Sequence, residues 1–187
     1  LESRPFSAIV NSGAYTAVDK AETDLASAFA VNGQAAAVLA EHARAADIPM
    51  VQVSTDYVFD GSKAGAYVED DPVGPLGVYG ACKLAGELAV RTSGARHVIL
   101  RTGVYHFVNA GEASWADLAR EIFSQSARRG GPSAQVRDIT TADYPTPARR
   151  PANSVLSTAK IARDYGIQPR PWQEAVAEIV ATLQPAD

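Results

Sequence analysis

A chain of 187 residues, 47% apolar and 20% charged, holds enough material for one full core and a small appendage. Its net charge of −4, with basic pairs only at Arg128-Arg129 and Arg149-Arg150, excludes a general nucleic-acid binder; those pairs could grip one anionic ligand at most. The single cysteine, Cys82, excludes a disulfide framework, and His42, His97 and His106 lack metal-ligand spacing.

No apolar run approaches transmembrane length, and Leu1-Glu2-Ser3-Arg4 does not read as a signal peptide. A cytoplasmic protein with no membrane partner is expected. Ala8-Ile9-Val10 reads as a short strand entering a tight loop at Asn11-Ser12-Gly13. Thr23 to Asp47 has helical periodicity, with Leu25, Phe29, Val38, Leu39 and Ala43 on the face expected to point inward. Met50 to Ser54 is a buried strand by its length and its valines. Asp60-Gly61-Ser62 marks a turn, Glu69 to Pro72 a polar loop, and a helix runs from about Val78 to Arg91. His97 to Arg101 is another apolar strand. Alternating strands and helices predict an α/β fold with a parallel sheet.

Beyond Arg101 the pattern changes. The run HVILRT passes directly into GVYHFVNAGE, a second strand-like stretch of Val104, His106 and Val108. One glycine, Gly103, is too short for a hairpin loop. Either this is one long bent strand, or residues are missing between Thr102 and Gly103. Ser114 and Asp117 then form a capping-box pattern opening a helix to about Gln125. Val136 to Ala152 reads as extended, with Pro145, Pro147 and Pro151. Ser157 caps a short helix to Asp164, and Trp172 to Leu183 is a C-terminal helix with Trp172, Val176, Ile179 and Leu183 inward. Trp115 and Trp172 are both expected in the core.

Chemistry points first to Tyr79 and Lys83. Residues at i and i+4 share a helix face, so phenol and ammonium can reach one cleft. A free phenol has a pKa of about 10 and is a poor acid at neutral pH; a nearby ammonium lowers it. With seven tyrosines in the chain, this spacing alone favours an ordinary surface pair. Thr55, just past the strand Met50–Ser54, is placed to hold the phenol, since ligands of open α/β sheets bind at the carboxyl ends of strands.

The surroundings decide. VNSGAYTAVDKAE (Val10–Glu22), VSTDYVFDG (Val53–Gly61), GPLGVYGACKLAGE (Gly74–Glu87), LRT (Leu100–Thr102) and YPTPARRPANSVLST (Tyr144–Thr158) follow one another in an order and at separations that resemble the dTDP-4-dehydrorhamnose reductases. These are extended short-chain dehydrogenases/reductases. The resemblance implies a Rossmann-type doubly wound parallel sheet over residues 1–102 and a small C-terminal substrate-binding lobe over 103–187. It implies NADPH or NADH as cofactor and a dTDP-sugar as substrate. It makes Tyr79 the proton donor, Lys83 the residue that holds the nicotinamide ribose and lowers the phenol pKa, and Thr55 the third member of a triad. Ala14, Tyr15 and Thr16 become cofactor contacts; Thr55, Asp56, Arg150 and Asn153 become substrate contacts.

Three family features have no match in the sequence. The glycine-rich phosphate loop falls before the matching part, the segment after LRT is missing, and no counterpart is visible of the Mg²⁺ site that some relatives use at a dimer contact. A longer protein and a homodimer are the corresponding expectations. Alternatives stay open at several positions. Asp19, Lys20 and Glu22 are expected to cap and solubilise a helix start. Cys82 is either a reactive thiol or, as favoured, a small packing residue. Arg101 is read as structural, while Arg149, Arg150 and Asn153 either meet the diphosphate or brace the C-terminal loop. Other functions consistent with the resemblance are a sugar-nucleotide epimerase or dehydratase, and a non-catalytic regulatory subunit of the methionine adenosyltransferase type.

Overall fold

The computed structural model describes residues 6–101 and 105–184. The Thr102–Gly103 join, Val104 and Leu1–Arg4 lie outside the described residues. Two compact units form, Leu1–Phe107 with Thr146–Gly166, and Val108–Pro145 with Ile167–Asp187. The expected cut after residue 102 is therefore displaced, and residues 146–166 return to the first unit. Hydrogen bonds hold them there: Tyr67 N–H donates to the Val155 carbonyl, Ser157 N–H to the Tyr67 carbonyl, and Asn153 Nδ2 to the Lys63 and Gly65 carbonyls.

In the first unit, β1 (Ile9–Asn11), β2 (Met50–Ser54) and β3 (His97–Arg101) make a parallel sheet in that order. Register is Ile9 to Met50 to His97 and onward. Burial alternates along β2, with Met50, Gln52 and Ser54 the more buried set, as a period of two requires. The crossovers use α1 (Val18–Ala21), α2 (Leu25–Phe29), a π-helical turn (Ala30–Gln34), α3 (Ala35–Ala45) and α4 (Val78–Thr92). Ala36, Ala40, Ala43, Met50, Val90, Ala95 and Ile99 form the core, with Ile9, Leu39 and Ile48 packed against it. The turn predicted at Gly61 is present at φ 77°, where Asp60 accepts from Ser62.

The helix read as Thr23–Asp47 is continuous from Leu25 to Ala45 but carries that π turn, and its inward face differs from the prediction. Of the predicted face, Ala43 is buried and Leu39 packs against the core, but Leu25, Phe29 and Val38 are exposed; Ala28, Asn32, Gly33, Ala36 and Ala40 are buried instead. Only small residues fit the true seam. A Cβ on Gly86 of α4 would sit 2.2 Å from the Asn32 carbonyl oxygen.

α6 (Ala159–Tyr165) closes the first unit. Its N-cap is Thr158, one residue after the predicted Ser157, and Gly166 ends it at φ 68°. In the second unit, Ser114 and Asp117 make the predicted capping box of α5 (Trp115–Arg128), which packs on α7 (Trp172–Leu183). Trp115 is 83% exposed, contrary to the core expectation, because it is the first helical residue and the apolar face begins after it. In α7 the seam runs through Ala175, Val176 and Val180, with Trp172 partly buried over Gly111; Ile179 and Leu183 face solvent instead of the core. Among the described residues 105–108 there is no strand. The chain makes an isolated parallel bridge at Ala110 and Pro171. Residues 136–152, read as extended, form no strand and include a 3₁₀ turn at Thr141–Asp143.

Candidate active site

The site is built where β2 ends and α4 begins. Ser54 closes the strand, and Thr55, in extended backbone, opens the 3₁₀ turn Asp56–Val58. The Thr55 hydroxyl accepts from Tyr57 N–H at 3.2 Å and donates to Asp56 Oδ1 at 2.9 Å. It also lies near the phenol of Tyr79, whose pKa it lowers. Tyr79 is half-buried near the start of α4, with the Tyr57 ring edge-on at 5.6 Å. Gly80 lets the helix come this close, since a Cβ there would lie 2.2 Å from the Tyr57 carbonyl oxygen.

One turn on, Lys83 is 3% exposed and donates to the Val53 carbonyl at 2.6 Å. The structure thus brings Tyr79, Lys83 and Thr55 together at the carboxyl end of β2. Their electrostatics differ from the expected lowering of the phenol pKa. Burial pushes Tyr79 up, the Thr55 hydrogen bond opposes this, and Asp56 adds to the rise. Burial likewise pushes the Lys83 ammonium down, against Cys82 and Glu87. A raised pKa keeps the phenol protonated at neutral pH, the form a proton donor needs. Cys82 is buried, its thiol pushed up by desolvation, and it packs with Ala21 and Ala28. It is a packing residue.

The loop after β1 meets the same helix. Tyr15 packs, with Val78 and Tyr79, on the cluster of Ala21, Ala28 and Cys82. Asn32 in the π turn fixes this loop: its Oδ1 accepts from Tyr15 N–H, and its Nδ2 donates to the Tyr15 carbonyl and to Cys82 Sγ. Ala14 is partly buried and Thr16 exposed.

Arg150 is held by its own chain. It pairs with both carboxylate oxygens of Asp19, at 3.0 and 2.8 Å, and donates to Thr146 and to the Ala148 carbonyl. Asp19 also accepts from Ala148 N–H, so its carboxyl lies below the usual range. Glu22 accepts from Val78 N–H at 2.9 Å. Neither acid merely solubilises α1, as their local sequence had led us to expect. Arg101 is buried against Glu87 in a bidentate ion pair with a 2.7 Å contact and lies under the Phe59 ring. Asn32, Asp19, Glu22, Tyr57 and Glu87 were missed as supports of the site. The one local signal was a polar Asn beside Gly33 in an alanine-rich helix; the others act across long stretches of sequence.

These residues suit a nicotinamide nucleotide. The backbone of the loop after β1 is small-residue and open at Ser12 and Gly13, the Ser54 hydroxyl is buried without a partner, and Lys83 has donor capacity beyond Val53.

Comparison with known proteins agrees with this picture. The family profile described as the RmlD substrate binding domain matches residues 1–104 and 102–184, two parts that overlap across the Thr102–Gly103 join. The dTDP-4-dehydrorhamnose reductase of Sinorhizobium fredii is 36% identical over 236 residues, covering 94% of this chain and 80% of that protein. That alignment is longer than the 187 residues here, so the relative carries additional residues inside the aligned span. A Streptomyces antibioticus protein, named a probable dTDP-4,6-dihydroxy-2-methyloxan-3-one 4-ketoreductase, is 33% identical over 100% of this chain and 81% of its own. Among solved structures, a dTDP-4-dehydrorhamnose reductase from Clostridium acetobutylicum superposes with a TM-score of 0.88 at 28% identity, covering 95% of this chain and 81% of that one. Matched by the profile over nearly its whole length, and by a relative above 30% identity over four fifths of that relative, the chain belongs to the dTDP-4-dehydrorhamnose reductase family.

Proposed function

We propose that this protein reduces the C4 carbonyl of dTDP-4-dehydro-L-rhamnose to give dTDP-L-rhamnose, with NADPH or NADH as reductant. The observation that carries this is the half-buried Tyr79 phenol, one helical turn before the buried Lys83 that reaches the Val53 carbonyl at the end of β2, in a chain related to reductases of that substrate. The nicotinamide, when bound, supplies hydride to the carbonyl carbon. Tyr79 gives its proton to the carbonyl oxygen as negative charge develops there, and Thr55 holds the phenol in line. Lys83 and the loop carrying Ala14, Tyr15 and Thr16 would hold the cofactor, with Lys83 offsetting the phenolate left behind. Asp56 would contact the sugar nucleotide. Arg150 would serve its diphosphate only by sharing or leaving Asp19, and Asn153 braces the Lys63–Gly65 loop beside it.

A second substrate deserves a parallel assay. The Streptomyces relative is named for a different dTDP keto sugar, yet both names put the reaction at C4. The test follows NADPH oxidation at 340 nm with either sugar. Stoichiometric consumption supports a reductase; product formation with cofactor recycled would mean an epimerase or dehydratase, and no turnover would favour a regulatory subunit. Tyr79→Phe is expected to lower turnover by about 10²–10⁴-fold with substrate binding nearly intact. Unchanged turnover removes Tyr79 from the mechanism. We place the activity in the cytoplasm, with a homodimer as the expected assembly.

A further inference from the structure

We propose that Glu22 is a positioning residue for this reaction: from the end of α1 it caps the Val78 N–H, fixing the first turn of α4 and with it the phenol of Tyr79. The proposal rests on Tyr79 being the proton donor.

The first turn of a helix carries backbone N–H groups with no partner inside the helix. The N-cap of α4 is Gly77, which has no side chain to serve them. Glu22 supplies the acceptor from another element, with Oε1 at 2.9 Å from Val78 N across 56 positions of sequence. A carboxylate here gains from the helix dipole as well as from the charge-assisted bond. Gly77 is what admits it. A Cβ at that position would sit 2.6 Å from Glu22 Oε1.

α1 itself is anchored. Asp19, three residues before Glu22, binds Ala148 N–H and Arg150, and Ala21 is buried in the cluster on which Val78 and Tyr79 pack. The cap therefore transmits a fixed position rather than following the helix. Tyr79 directly succeeds the capped residue, so slack at Val78 becomes slack at the phenol, and misplacement of about 1 Å costs on the order of 100-fold in rate.

Steady-state kinetics of the intact protein with NADPH and dTDP-4-dehydro-L-rhamnose test this. Glu22→Ala is expected to lower kcat about ten- to hundredfold with KM within about twofold. Glu22→Gln keeps the acceptor oxygen and stays within about threefold of the unsubstituted kcat. Gly77→Ala leaves Glu22 in the sequence but pushes its carboxylate off Val78, and should reproduce the Glu22→Ala loss; it serves also where Glu22→Ala fails to fold. Full kcat in Glu22→Ala or Gly77→Ala overturns the proposal, as does a Gln variant as impaired as the Ala variant, or a loss confined to KM. Tyr79→Phe is assayed alongside. If it still turns over, the proton-donor assignment falls and the Glu22 role with it; if it is inactive while Glu22→Ala is fully active, the Glu22 role alone falls.

Discussion

Replacing Gly86 with alanine sets two effects of opposite sign against each other. In a helix interior, alanine is favoured over glycine by about 1 kcal/mol, so local propensity predicts stabilisation. Against this, the new Cβ would lie 2.2 Å from the Asn32 carbonyl oxygen and 3.3 Å from the Ala36 Cβ. Backbone cannot rotate aside as a side chain can. α4 and the π turn must separate by about 1 Å, which loosens the Ala36, Ala40 and Val90 core; overpacking of this kind costs about 1–3 kcal/mol and occasionally more. A backbone contact this close takes the upper end of that cost, so about 3 kcal/mol less the gain of about 1 leaves a net loss of about 2 kcal/mol, or about 4–8 °C in Tm for a chain of this size. Gly33, across the same helix pair, is the control. A Cβ there meets nothing closer than 3.7 Å, so Gly33→Ala should be neutral or stabilising by up to about 1 kcal/mol. Thermal and urea denaturation of both variants decide the matter. A Gly86→Ala protein as stable as the parent, or the two variants in the reverse order, would refute the close-approach account of this seam.

Two further outcomes follow from buried charge. Arg101→Met leaves the Glu87 carboxylate, 1% exposed, without its partner and should cost about 3–5 kcal/mol, whereas Glu87→Leu with Arg101→Met should recover much of that loss; urea midpoints of the single and double variants report it. His106 is fully buried, its ring nitrogens unpartnered although the carbonyls of Tyr67 and Ser157 lie near, and burial holds its pKa below the ordinary 6.5 against the pull of Glu69. The unfolded chain therefore takes up the proton first. Its stabilising contribution is present above 6.5 and is lost as pH falls through the lowered value, so the urea midpoint should drop between about pH 7.5 and about pH 5.5. His106→Leu should flatten that drop, and an equally steep drop in the variant would show that another group is responsible.

Much of the first unit was legible because its signals are local. The alternation of Met50–Ser54 and the bounds of α4 each lie within one element, and Gly61 declares its turn by being glycine between Asp60 and Ser62. The Tyr79–Lys83 spacing was equally plain, but its meaning came from neighbouring stretches rather than from the pair. What failed was extrapolation. Leu25, Phe29 and Val38 are apolar at helical spacing, but the seam facing α4 is built of small residues such as Gly33 and Ala36, so the larger side chains fall on the exposed face. In α7 the seam steps from Val176 by four residues to Val180, so the predicted step of three to Ile179, and Leu183 after it, landed on the solvent face. The direction of the Tyr79 pKa was misjudged because charge partners can be read from sequence, whereas desolvation depends on how the folded chain closes over the phenol. Asp19 and Glu22 look like helix-start acids because nothing local indicates partners 131 and 56 residues away.

Those two separations also order the site in time. On a ribosome adding roughly 5–20 residues per second, Glu22 can meet Val78 within roughly 3–11 s of its own synthesis, while Asp19 must wait roughly 7–26 s for Arg150. The cap on α4 is therefore available while the Pro145–Pro151 stretch has yet to be made, and the Asp19 carboxylate spends that interval in water. Contacts closing such long loops also cost the most chain entropy and are the late ones in folding. The Arg150 side of the site is thus the last part of it to be synthesised, and the Asp19–Arg150 pair that anchors α1 can close only then.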